Sequence, residues 1–93
     1  MLNQRIKELR IACGWNQVEL AKSLNVTKQT VSNWENDNIQ PSVEMLIRLS
    51  RIFGVTTDYL LGLENIPRIN VEGLSESVVA HLILLIDDYR TKE

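Results

Sequence analysis

Asn16-Gln17-Val18-Glu19-Leu20-Ala21-Lys22-Ser23-Leu24-Asn25-Val26-Thr27-Lys28-Gln29-Thr30-Val31-Ser32-Asn33-Trp34-Glu35 is the stretch on which the fold turns. Asn16 and Glu19 stand at capping-box spacing, where each side chain satisfies the other residue's free backbone N–H. The spacing predicts a helix opening at Gln17 that buries Leu20, Ala21 and Leu24. Asn25 then tolerates the left-handed backbone of a sharp turn. Val26 plugs the corner, and Thr27 caps a further helix running to about Glu35. Val31 and Trp34 fall on its inward face, leaving Lys28, Gln29, Ser32 and Asn33 outward. Two short helices joined by so few residues have the spacing of a helix-turn-helix.

Outward from that stretch the chain reads as more helix. A preceding helix is expected from Asn3, a good N-cap type, to Gly14, with Ile6, Leu9 and Cys13 as its inward stripe. Cys13 is read as a small core residue, and Trp15 as the cover of the corner before Asn16. Beyond Glu35, a polar loop runs to Pro41. Ser42 caps a fourth helix carrying Met45, Leu46, Leu49, Ile52 and Phe53, and Gly54 ends it. Thr56 caps a short fifth helix with Tyr59, Leu60 and Leu61, ended by Gly62. The expected fold class is therefore all-α, with five helices in residues 1–63.

Residues 64–73 read as a linker, because Pro67 blocks a continuing helix. Ile66, Ile69 and Val71 there predict an extended piece resting on something. Ser75 caps a last helix, so that residues 74–93 form a C-terminal helical element, with Leu74 and Val79 at the two positions of a hydrophobic staple. That helix is apolar on most sides: Val78, Val79, Ala80, Leu82, Ile83, Leu84, Leu85, Ile86 and Tyr89 lie within one short span. A surface helix needs only one apolar stripe. The surplus predicts a partner, most simply the same helix of a second copy, through Val78, Val79, Leu82, Ile83, Leu85, Ile86 and Tyr89. Folding back onto its own domain and binding another protein are the alternatives. His81 interrupts the stripe and reads as a polar rim position.

Composition narrows the function classes. Hydrophobic residues are 44% of the 93, enough for a core, and aromatic residues only 5%. One cysteine excludes a disulfide framework and a CxxC pair; one histidine excludes a histidine-rich metal cluster. Cys13 and His81 lie on separate segments without an orienting group, so no nucleophile–base set is evident and no enzyme is expected. No metal or cofactor is expected either. No apolar run has the length of a membrane span and no signal peptide is recognised, so a cytoplasmic protein is expected. The net charge of −2 hides an asymmetry. Residues 1–62 hold seven basic side chains against six acidic, and residues 63–93 three against six. Any DNA affinity must then rest on geometry as much as on charge.

Several motifs in order carry a resemblance: Gly14-Trp15-Asn16-Gln17-Val18-Glu19-Leu20-Ala21, Val26 to Asn36, Pro41, Phe53-Gly54-Val55, and Asp58-Tyr59-Leu60-Leu61-Gly62. Across residues 5–62 the chain resembles the Cro/CI-type (XRE-like) helix-turn-helix repressors of phages and bacteria. The resemblance implies a lambda-repressor-like DNA-binding domain whose motif helices span about 17–36. It places the third helix in the major groove of double-stranded DNA. Lys28 then faces guanine O6 and N7, while Gln29 and Asn33 each suit adenine N6 and N7. Ser32 and Thr30 are small enough for a thymine methyl or a phosphate. Asn16, Gln17, Thr27, Thr30, Asn36 and Asn38 are the candidate contacts to the DNA backbone. Asn16 reads first as a cap, and Asn38 equally as a turn former. The resemblance also implies an ion pair between Arg10 and Glu35. Taken alone, the outward residues of the third helix would suit a merely solvated face; the order of the motifs favours DNA. The expected function is a dimeric repressor reading an inverted repeat. The competing reading is an antitoxin-like or antirepressor-like interaction protein that uses its apolar tail.

Overall fold

Beyond the first helix, helix starts in this chain are set by short polar side chains. The computed structural model describes residues 1–92 and contains six helices. These are α1 (Leu2–Ala12), α2 (Gln17–Leu24), α3 (Lys28–Glu35), α4 (Val43–Phe53), α5 (Thr57–Leu60) and α6 (Glu76–Lys92). Asn16 Oδ1 accepts from Glu19 N at 2.8 Å while Asn16 N donates to Glu19 Oε1 at 3.0 Å, closing the capping box that opens α2. Thr27, Ser42 and Thr56 each accept from the backbone N–H three residues on, opening α3, α4 and α5. Such a cap contributes about 1 kcal/mol. Between α2 and α3, Asn25 adopts the left-handed conformation at φ 57°, and Val26 N donates back to Ala21 O at 2.9 Å. Two helices are thereby turned against each other within three residues.

The apolar stripes of α1 to α5 meet in one core. Ile6, Leu20, Leu24, Val31, Leu49 and Leu60 are completely buried, with Ala21 and Trp34 nearly so. Leu2, Leu9, Val26, Met45, Ile52, Phe53 and Val55 flank them. Each fully buried aliphatic side chain contributes roughly 1.5–3 kcal/mol. Trp15 packs on this core with its ring centroid 6.2 Å from that of Phe53, so it joins the α1–α2 corner to the end of α4. All-α architecture and the five helices of the head are as expected from the sequence.

Three local expectations are corrected. Cys13 is exposed: it is the C-cap of α1, and the inward side of that helix is formed by Ile6, Leu9 and Arg10 instead. Asn3 lies inside α1, whose N-cap is Met1 without a side-chain cap. Its Oδ1 accepts from the N-terminal amine at 3.1 Å instead. Ile66 and Ile69 are 75% and 69% exposed rather than resting on the head, and Val71 is exposed too. An extended segment needs a groove or a free strand edge; the all-helical head has already closed its core. Arg68, Ile69 and Asn70 line only a shallow cleft with Ser50, Arg51, Gly54, Val55 and Thr56.

The head does not end abruptly at α5. Arg5 on α1 donates through Nη1 to Tyr59 O at 2.7 Å and Glu64 O at 3.2 Å, and its guanidinium lies 4.0 Å from the Tyr59 ring centroid. The Thr56 hydroxyl donates to the Glu64 carboxylate at 2.9 Å. Glu64, in the expected linker, is thus fastened to the head. Ser75 Oγ accepts from Val78 N at 3.2 Å at the start of α6. No residue of α6 is buried; Val79 and Leu82 are half-buried and the other apolar side chains of the stripe are exposed.

Candidate nucleic-acid interface

α3 presents one face to the core and the opposite one to solvent. Val31, Trp34 and Glu35 are buried; Lys28 and Gln29 are exposed, with Thr30, Ser32 and Asn33 half-buried at the edge. The outward groups are wired to one another along the helix. Gln29 Nε2 donates to Asn33 Oδ1 at 3.0 Å, one turn further on. Asn36 Nδ2 donates to Ser32 Oγ at 3.2 Å. The hydroxyls of Thr27 and Thr30 lie 2.8 Å apart, and Thr27 Oγ1 also accepts from Thr30 N. These bonds hold a row of amides and hydroxyls over a smooth helix surface.

Two features fix that row in space. Arg10 and Glu35 form a buried ion pair in two-pronged geometry, Nε to Oε2 at 2.7 Å and Nη2 to Oε1 at 3.0 Å. Arg10 Nη1 also donates to Trp15 O at 2.7 Å. One guanidinium thereby joins α1, the approach to α2 and the end of α3. Gln17 Nε2 donates to Glu35 Oε1 at 3.2 Å, fastening the first residue of α2 to the same carboxylate. A doubly hydrogen-bonded, water-excluded pair of this kind is geometrically demanding, because either partner alone is a buried charge.

Of the expected backbone contacts, Asn16 and Gln17 lie at the start of α2, Thr27 and Thr30 at the start of α3, and Asn36 and Asn38 just beyond it. At the N-terminus of α2, the Asn16 carbonyl oxygen is engaged as the cap. Gln17 keeps a second amide hydrogen, and the N–H groups of Gln17 and Val18 precede the first intrahelical bond, from Leu20 to Asn16. These N–H groups have no partner within the helix. Beyond α3, Asn38 N donates to Asn33 O at 2.9 Å and Asp37 takes the left-handed conformation at φ 59°. Asn36 and Asn38 therefore shape the turn, with exposed side chains. The sequence offered no signal for Arg5, whose partners lie more than fifty residues away along the chain. It also offered none for the bond from Asn3 Nδ2 to Glu35 O at 3.5 Å. Among the described residues no set of side chains could hold a metal ion. Nor is any helix among them long and apolar enough to cross a membrane.

Comparison with known proteins places this geometry. A helix-turn-helix family model matches residues 6–60. The HTH-type transcriptional regulator ImmR of Bacillus subtilis is 34% identical over 97% of this chain and 71% of its own. Repressor protein CI of Enterobacteria phage phi80 is 36% identical over 76% of this chain, which spans only 30% of that protein. The P22 c2 repressor in complex with a synthetic operator superposes with a TM-score of 0.62 at 30% identity, over 64% of this chain and 91% of that one. A chain of the SinR–SinI protein complex has the same TM-score at 25% identity, and the match covers 100% of both. These relatives are regulators and repressors, not enzymes. The chain belongs to the helix-turn-helix family of DNA-binding transcriptional regulators.

Proposed function

We propose that the protein is a dimeric repressor that reads an inverted repeat in double-stranded DNA through the major groove. The observation that carries this is the outward face of α3, a fixed row of hydrogen-bonding groups whose opposite face is buried. Lys28, Gln29, Ser32 and Asn33 contact base edges. Asn16, Gln17, Thr27, Thr30, Asn36 and Asn38 contact the sugar-phosphate backbone on either side. Arg10 and Glu35 touch no DNA; they set the angle of α3. The likeness to a repressor solved on its operator supports this docking mode.

One α3 spans too few base pairs to be selective. α6 supplies the second copy: its apolar residues are exposed in the single chain, Ile83 at 60% and Leu84 at 64%. Val78, Val79, Leu82, Ile83, Leu85, Ile86 and Tyr89 pair with the same residues of the other subunit across a two-fold axis. Two heads so joined meet half-sites on the order of 34 Å apart. Bound over a promoter, the dimer excludes polymerase. The protein acts on the nucleoid in the cytoplasm of a bacterium, as a chromosomal or phage-encoded product.

A specific observation also favours a hetero-partner for α6: the likeness to the SinR–SinI complex runs through the whole chain, tail included. In vitro selection of random duplex DNA with the purified protein, at near-physiological salt, separates the readings. An enriched inverted repeat supports the homodimer. A single enriched half-site keeps DNA reading and removes the tail-mediated dimer. With no enrichment, and a monomer on sedimentation, α6 belongs to another protein.

A further inference from the structure

The hydrogen bonds along α3 restrict which bases each residue can read. Gln29 gives one Nε2 hydrogen to Asn33 Oδ1 at 3.0 Å. That leaves Gln29 Oε1 as an acceptor and its second Nε2 hydrogen as a donor, which is the full complement for adenine N6 and N7. Asn33 is different. Its carbonyl oxygen is turned to Gln29, so its Nδ2 hydrogens are what it offers beyond the pair. Ser32 Oγ accepts from Asn36 Nδ2 at 3.2 Å, so its own hydrogen points elsewhere, as a donor. Lys28 carries only donors.

We infer that Gln29, held by its hydrogen bond to Asn33, is the adenine reader of α3, and that Asn33 is both its positioning residue and a reader of acceptors. Resting on the proposed major-groove reading, this departs from the sequence expectation that Gln29 and Asn33 each take an adenine. The half-site is predicted to demand an exocyclic amino group at one position only, an adenine beneath Gln29. The neighbouring positions, facing Lys28, Ser32 and Asn33, present guanine O6 and N7 or thymine O4. Because Gln29 and Asn33 share a hydrogen bond, the two base choices are coupled rather than independent.

The test compares selected DNA pools from the wild-type chain and three variants, each first shown by thermal unfolding to be folded. Wild type should enrich one adenine flanked by acceptor-rich positions, with discrimination at the adenine of about 5- to 150-fold. Gln29→Ala should lose that adenine alone. Asn33→Ala should lose the preference at its own position and also relax the adenine, because the Gln29 amide is freed. Asn33→Asp keeps an oxygen for Gln29 Nε2 and removes the donors, so it should retain the adenine while its own position turns from guanine or thymine to cytosine N4. If Asn33→Ala leaves the adenine untouched, or wild type enriches two adenines, this inference is overturned and the major-groove reading stands. If wild type enriches no sequence, the major-groove reading falls and takes the inference with it.

Discussion

Glu35 shows how much one residue can hold in this protein. Its side chain is 2% exposed, and the same carboxylate receives Arg10 and Gln17. Arg10→Ala leaves that charge buried and unpaired, and should lower stability by about 3–5 kcal/mol in urea unfolding. Arg10→Met with Glu35→Leu should recover most of the loss, since both charges are then gone. A double variant as unstable as the sum of the single ones would show that the two residues act separately. At the reading face, Gln29→Ala should cost about 1–3 kcal/mol on the selected site, whereas Gln17→Ala should weaken all sequences evenly. Titration of labelled duplexes, selected and scrambled, distinguishes the two patterns. Inward and outward residues of α3 were legible because helical spacing alone assigns them. Cys13 was misread because an apolar stripe was sought, whereas the inward side of α1 includes the charged Arg10, buried by its pair with Glu35. The bonding among Gln29, Asn33, Ser32 and Asn36 was not legible at all, since spacing brings side chains together without saying which atom donates.

Among the elements, α2 and α3 were the most legible, because caps, corner and apolar spacing all indicate the same boundaries. Asn16→Ala removes both bonds of the capping box and should cost about 1 kcal/mol, read as a lower urea midpoint at an unchanged slope. The linker was the least legible. Alternating isoleucines suggest a buried extended segment, but that inference requires a surface to receive it, and sequence spacing says nothing of one. α6 is the reverse case. Its existence and its excess of apolar residues were plain, while what covers them was not. Ile83→Glu places a charge on that face without touching the head, where α6 buries nothing. Under the homodimer reading it should weaken self-association by at least about 100-fold, close to 2.8 kcal/mol, in sedimentation equilibrium. An unchanged association constant would move the interface off this face.

For the whole molecule, the modest charge of the head becomes a property of binding. α3 carries one cation, Lys28, while Arg10 is neutralised by Glu35. Backbone contacts made by amides and hydroxyls release few counterions. The logarithm of the operator-binding constant should therefore fall with the logarithm of salt at a slope no steeper than about −4, against about −10 for a strongly basic binder. A steeper slope, measured by anisotropy across a salt series, would point to further cations reaching phosphates.

The clasp of Arg5 on Tyr59 and Glu64 bears on how such a regulator can be re-equipped. It joins the beginning of the chain to the point where the head lets go, so everything attached after Glu64 departs from a rigid socket rather than from a loose end. A different coiled segment, or a sensor of another kind, spliced at that socket would inherit a defined heading. Spliced a few residues earlier, the same graft would discard the clasp and swing freely. The head is thus fastened as far as Glu64, four residues past the end of α5.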